Sequence, residues 1–144
     1  MHDSTRSEVI LLSIHPQYAQ AILEGKKRVE FRKQNIPRHI SHVVLYATRP
    51  VGRVVGYFSV AKIVEGKPSH LWSRFNGSGG ISEEGFAAYY GDAVSSVGLV
   101  VKKAHPMRKQ VRLEELAPSA SAPNSFRYLR EDEFRTVLRH ARRV

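Results

Sequence analysis

No cysteine occurs in these 144 residues, which excludes disulfides, a thiol nucleophile and any zinc site built on thiolates. No apolar run approaches the roughly 20 residues that a membrane-spanning helix needs. No basic amphipathic helix stands alone to lie on a lipid surface. The stretch from Met1 to Ser7 has no signal-peptide apolar core. It reads as a flexible N-terminal segment (1–7) ahead of one domain over 8–144, and the protein is expected in the cytoplasm, away from membranes. Acidic side chains are scarce too, with 13 Asp plus Glu against 23 Lys plus Arg and a formal net charge of +10. That excess favours a polyanionic partner through counterion release, nucleic acid first among them.

What is present is one globular domain's worth of chain, 42% hydrophobic and long enough to bury a single core. Its most informative segment begins with a buried strand, Glu8 to Ile14, followed by His15 and Pro16. Proline suits the first helical position, and Gly25 suits the left-handed residue that closes a helix. Tyr18, Ala19, Ile22 and Leu23 give the helix between them an apolar face. The chain then runs extended through Arg28, Val29, Glu30, Phe31 and Arg32. A side-chain period of two sends Val29 and Phe31 inward and puts Glu30 between Arg28 and Arg32 on the other face. A carboxylate between two guanidiniums stays ionised.

This order of strand, Ser13-Ile14-His15-Pro16, helix, then Gly25-x-Lys27-x-x-Glu30-x-Arg32 resembles the ASCH domain, a branch of the PUA-like β-barrels. The resemblance extends more weakly through the strands at 43–47 and 53–63, Ser125-Phe126-Arg127-Tyr128-Leu129 and the helix after it. It implies an α+β fold, a small PUA-like barrel of about five to six strands flanked by short helices in a single domain. It also implies that the motif lines a cleft for RNA or a nucleotide-like ligand. Fold kinship alone leaves binding and catalysis open.

Further strands are expected at His42 to Thr48 and Arg53 to Val64, joined by an Arg49-Pro50-Val51 hairpin connection, with Gly52 and Gly56 marking a bend or bulge. Two more are expected at Ser95 to His105 and Arg108 to Leu113, split by a turn at Pro106. Ser82 is placed to cap a helix with Glu83 and Glu84 in its first turn and Phe86, Tyr89 and Tyr90 on its apolar side. A final helix starts near Arg130, with Glu131, Asp132 and Glu133 first and Arg139, Arg142 and Arg143 last. Its buried stripe is Phe134, Val137, Leu138 and Ala141. Ala117 to Pro123 reads as a surface loop.

Several side chains are candidates for chemistry. Lys27, Glu30 and Arg32 carry the motif, and Lys26 and Arg28 beside it read as phosphate contacts. Tyr46 is either a stacking wall of the cleft or a core tyrosine. By resemblance, Ser125, Phe126 and Arg127 return to the barrel near the motif. There Arg127 reaches a phosphate, pairs with Glu30, or simply joins strand to helix. Gly77-Ser78-Gly79-Gly80 lacks the Lys-Ser/Thr of a phosphate-binding P-loop and reads as a flexible loop able to close over a cleft. Trp72 and Phe75, just upstream, share a helix face and read as core. His39 and His42 have metal-compatible spacing but no third ligand, so no metal and no cofactor are expected.

The first functional reading is a non-catalytic RNA-binding module that admits an unpaired nucleotide. Glu30 accepts hydrogen bonds from base or ribose, while Lys27 and Arg32 fix phosphate. The second is a small hydrolase of the same family, a nucleoside amidohydrolase or a ribonuclease, with Lys27 and Glu30 as its catalytic pair. The position where the resemblance calls for a nucleophilic Thr holds Glu30, so release of acetate from acetylated cytidine is not expected, and cleavage of RNA is expected to be weak at most. A third is a transcription-associated adaptor touching nucleic acid and a protein partner.

Overall fold

The runs Val9–Leu12 and Val43–Leu45 are apolar at successive positions rather than alternating, the pattern of strands covered on both faces. The computed structural model, which describes residues 7–33 and 35–141, shows that covering. Six strands form one curled sheet in the order β2-β5-β4-β3-β1-β6. They are β1 (Glu8–Ile14), β2 (Val29–Arg32), β3 (Ile40–Ala47), β4 (Arg53–Gly66), β5 (Ser96–Val111) and β6 (Phe126–Tyr128). Four helices accompany it, α1 (Pro16–Leu23), α2 (Pro68–Phe75), α3 (Glu83–Tyr90) and α4 (Glu131–His140). β1 runs parallel to β3, and every other pairing is antiparallel. The result is a half-barrel in one α+β domain, the expected PUA-like architecture.

The strand period sorts the core. Ile10, Leu12 and Ile14 join Val43, Leu45 and Phe58 under α1, whose Ala19 and Ile22 are buried against them. Leu11, on the opposite face, joins Val44, Val54, Met107 and Val111 beneath Val137 of α4. A third cluster packs Val29 and Phe31 of β2 against Leu71 of α2 and Phe86 and Tyr90 of α3, with Trp72 and Phe75 at its margin. Gly56 sits at the β4 bulge, where a Cβ would meet Leu23 Cδ2 at 2.5 Å and the His105 carbonyl at 2.7 Å. Ser82 caps α3 by accepting the Gly85 N–H at 3.0 Å.

Three expectations are corrected. Pro106 does not split the last long strand: β5 runs unbroken from Ser96 to Val111. Pro106 lies opposite Gly56, beside the register shift between Val54 and Gly56, and β2 pairs only with Val97 to Val100. A missing N–H costs little where the ladder is irregular and the other flank carries only the isolated Met107–Ala141 bridge. Leu138 does not belong to the buried stripe of α4 and is 44% exposed, whereas Glu133 is buried at 1%. Finally, the Gly77–Gly80 loop is no free flap. The Ser78 carbonyl accepts the N–H groups of Arg28 at 2.6 Å and Val29 at 3.2 Å, Gly79 is buried against the Phe31 ring, and the Lys27 ammonium donates to the Gly79 carbonyl. The segment 1–6 and the expected Arg142 and Arg143 lie outside the described residues.

Candidate nucleotide cleft

Local sequence rules deliver the charged motif to one place. His15 is the extended N-cap of α1, Pro16 occupies its first turn, and Gly25 adopts φ 80° after its end. The N–H groups of Lys26 and Lys27 then bond back to the Ala21 carbonyl at 2.9 and 3.0 Å. This hook turns the Lys27 side chain inward at the foot of β2, where it is only 2% exposed. Glu30, 6% exposed, follows on the same side. Lys27 Nζ lies 3.3 Å from Glu30 Oε1, and Arg32 Nε lies 3.0 Å from Oε2. Arg32 Nη2 also donates to the Ser13 carbonyl at 2.7 Å, tying β2 to the end of β1.

The second cation on Glu30 is therefore Lys27, not Arg28 as strand periodicity alone requires. Arg28 precedes the first residue of β2, and its Nη2 instead donates to the Val101 carbonyl of β5 at 3.1 Å. The Lys27 ammonium lies 5.2 Å from the Tyr18 ring centre and 5.6 Å from that of Phe31, so aromatic faces share its charge. Burial lowers the Lys27 pKa from the ordinary 10.5, with Glu30 opposing that shift. Burial raises the pKa of Tyr89 and, more strongly, that of Tyr90.

Lys27, Glu30, Arg32 and Tyr89 open onto a cleft of about 540 Å³ between α1, β2 and α3. His15 and Tyr18 stand on one side, Phe86 and Tyr89 on the other, with Thr48 and Asn124 completing the rim. One carboxylate between two cations leaves a net positive floor, and the tyrosines offer flat faces. Such a site suits a planar heterocycle attached to an anionic group.

Other sequence-predicted residues fall elsewhere. Lys26 is exposed and pairs with Glu24 at 3.5 Å. Tyr46 is half-buried against the Leu11–Val44–Val54 cluster rather than lining the cleft. The Ser125 carbonyl accepts the Ser13 N–H at 2.9 Å, while its buried Oγ has no hydrogen-bond partner among the described residues. Arg127 binds not Glu30 but Glu133, at 3.2 and 2.9 Å through both guanidinium ends. His42 packs against Tyr57 and Phe134 in tilted contacts, at 6.0 and 5.2 Å between ring centres. Among the described residues no three His, Cys, Asp or Glu side chains gather as a metal site, and no helix is long and apolar enough to cross a membrane.

Conversely, the cleft recruits His15, Tyr18, Thr48, Tyr89 and Asn124, which sequence reading did not assign to a site. Only the spacing of His15 and Tyr18, three apart at a helix start, carried a local signal. Their rings meet edge-on at 6.0 Å.

A curled half-barrel with a cationic cleft beside its first helix defines a PUA-like domain. Within that class, the chain belongs to the ASCH domain family, which matches residues 12–108. An ASCH domain-containing ribonuclease of Zymomonas mobilis is 31% identical over 141 residues, 96% of this chain and 95% of that protein. The crystal structure of ASCH from Zymomonas mobilis superposes with a TM-score of 0.87 at 29% identity, covering 99% of both chains. The N-terminal domain of Staphylothermus marinus McrB shares the fold alone, with a TM-score of 0.60 at 10% identity over 96% of this chain and 98% of that one. Family and relative together support a nucleic-acid-related function.

Proposed function

We propose that this chain is a ribonuclease acting on single-stranded RNA, with one unpaired nucleotide seated in the cleft and the strand held across its mouth. The carrying observation is the row of buried Lys27 and Glu30 with half-buried Arg32, in a cleft that Tyr18 and Tyr89 also line. A formal charge of +10 supplies long-range attraction to phosphate. Each Glu30 oxygen retains a lone pair for a base or ribose donor, and Lys27 retains one of its three donors for phosphate. The near-full-length ribonuclease relative favours turnover over binding alone. His15, exposed at the cleft mouth, is the cleft's histidine and thus its natural proton-transfer group.

A second reading, a binding module without turnover, is favoured by one observation: both carboxylate oxygens of Glu30 already hold a cation, so Glu30 is a poor general base. One experiment separates the two. Purified protein is incubated with end-labelled single-stranded RNA and with DNA of the same sequence, alongside Lys27→Ala and His15→Ala. The ribonuclease reading expects cleavage of RNA alone, loss of binding and cleavage together in Lys27→Ala, and cleavage reduced at least about tenfold with binding kept in His15→Ala. Tight binding with no cleavage by the wild type selects the module. Failure to bind either nucleic acid rejects both readings.

A further inference from the structure

A second concavity lies against the first. Arg32 lines the nucleotide cleft, while the next residue, Lys33, lines a groove of about 660 Å³ that also takes in Arg38, Glu65, Lys67 and Ser96. Two adjacent tyrosines of α3 hold this junction. Tyr90 donates its hydroxyl to the Arg32 carbonyl at 3.1 Å, and the Lys33 N–H donates to the Tyr89 hydroxyl at 3.2 Å. Ser96, on the groove side, donates to the Tyr90 hydroxyl, so cleft and groove share one hydrogen-bonded wall. Tyr89 itself faces the cleft, and the Lys33 ammonium lies 4.8 Å from its ring centre.

The groove carries a net positive charge. Lys33, Arg38 and Lys67 face Glu65 alone, and Arg38 pairs with it at 3.5 Å through exposed side chains. A surface pair of that kind is worth about 0–1 kcal/mol and gives way readily to a stronger anion. Lys67 caps α2 only through its backbone, with no side-chain cap hydrogen bond. Val94, 85% exposed at the rim, adds an apolar edge for a ribose or base.

The geometry points to a second binding site, in which this groove takes the phosphodiester backbone of the nucleotides next to the one held in the cleft, the strand crossing from one to the other over the Lys33–Tyr89 pair. The inference rests on the RNA reading of the cleft and adds the course of the strand beyond it. It makes the protein a reader of strand length: a mononucleotide occupies the cleft, and only a longer strand gains the groove.

The test measures binding of uridine monophosphate and of an octanucleotide of uridine, at several salt concentrations, to wild type and to a Lys33→Ala/Lys67→Ala double variant. Both side chains are exposed, so the fold tolerates their loss. The expected result is octanucleotide affinity at least about tenfold weaker in the double variant, with a salt slope reduced by about 1.4 for the two lost contacts. Uridine monophosphate affinity stays within about twofold of wild type. Equal octanucleotide affinity and slope in both proteins overturns the groove site while leaving the cleft reading standing. Equal weakening of both ligands overturns it too, because the lysines then act on the cleft. A wild type that binds neither ligand removes the RNA reading and the groove site together.

Discussion

Gly79 and Phe31 are in contact so close that a Cβ on the glycine would overlap Cε2 of the ring. The ring cannot retreat freely, because Phe86 meets it edge-on at 5.0 Å on the cleft wall. Gly79→Ala is therefore expected to cost about 1–3 kcal/mol by overpacking and to weaken RNA binding by displacing the wall. Gly77→Ala, where nothing lies within 4 Å, serves as the control and is expected to be neutral. Chemical denaturation and RNA titration of both variants check this.

Lys27 makes stability depend on alkaline pH. Burial holds its folded pKa below 10.5, so there is a window in which the unfolded chain still carries the proton and the folded chain does not. Stability contributed by this group rises with pH across that window, which closes near 10.5. Wild type is expected to gain stability relative to Lys27→Met as pH rises through it. Denaturation of both proteins across the alkaline range checks this, and a difference that stays flat or falls contradicts it.

Glu133 is the buried anion under α4. Burial pushes its pKa up, but Arg127 and the Arg130 N–H outweigh burial and hold it below the usual 4.5. The folded value being the lower one, this stabilisation is fully present above pH 4.5 and is lost below it, as pH falls through the lower folded value. Arg127→Met is expected to cost about 3–5 kcal/mol by stranding the carboxylate, while Arg127→Met combined with Glu133→Leu recovers most of that loss. A double-mutant denaturation cycle at neutral pH reads both numbers.

The His42 and His105 rings flank Tyr57, and His105 stacks on it at 4.6 Å. Burial lowers the pKa of both histidines from 6.5, with His105 adding to the shift of His42 and Lys103 to that of His105. Below pH 6.5 the unfolded chain takes up protons that the folded stack resists, so stability falls with falling pH. His42→Phe is expected to lose part of this slope, measurable as a smaller drop in melting temperature between neutral and mildly acidic buffer.

The first third of the chain was readable because its signals are local and stereochemical. Proline fits at the start of α1, glycine adopts positive φ after its end, and buried strands show as unbroken apolar runs. Reading failed where distance in sequence hides closeness in space. Arg28 and Lys27 exchange roles because the hook from Gly25 to Lys27 rotates the chain just before β2 begins. Glu133 looked like a charge complementing the α4 dipole, and only the pairing of β6 with β1 brings Arg127 onto it. Pro106 obeyed a sound local rule that a bulge in the partner strand overrode. Tyr89 enters the cleft from α3, which no pattern around the motif announces.

The place of β1 in the sheet has a consequence for how the protein is made. Its flanks are β3 and β6, and Leu11 waits for Arg127. A ribosome releases β1 and β3 well before β6, so until β6 emerges the nascent chain carries an open, apolar strand edge at Ile10–Leu12, the sort of template on which other chains add strands. Yield in a cell should therefore follow the speed of synthesis and the supply of chaperones more closely than the stability of the finished molecule.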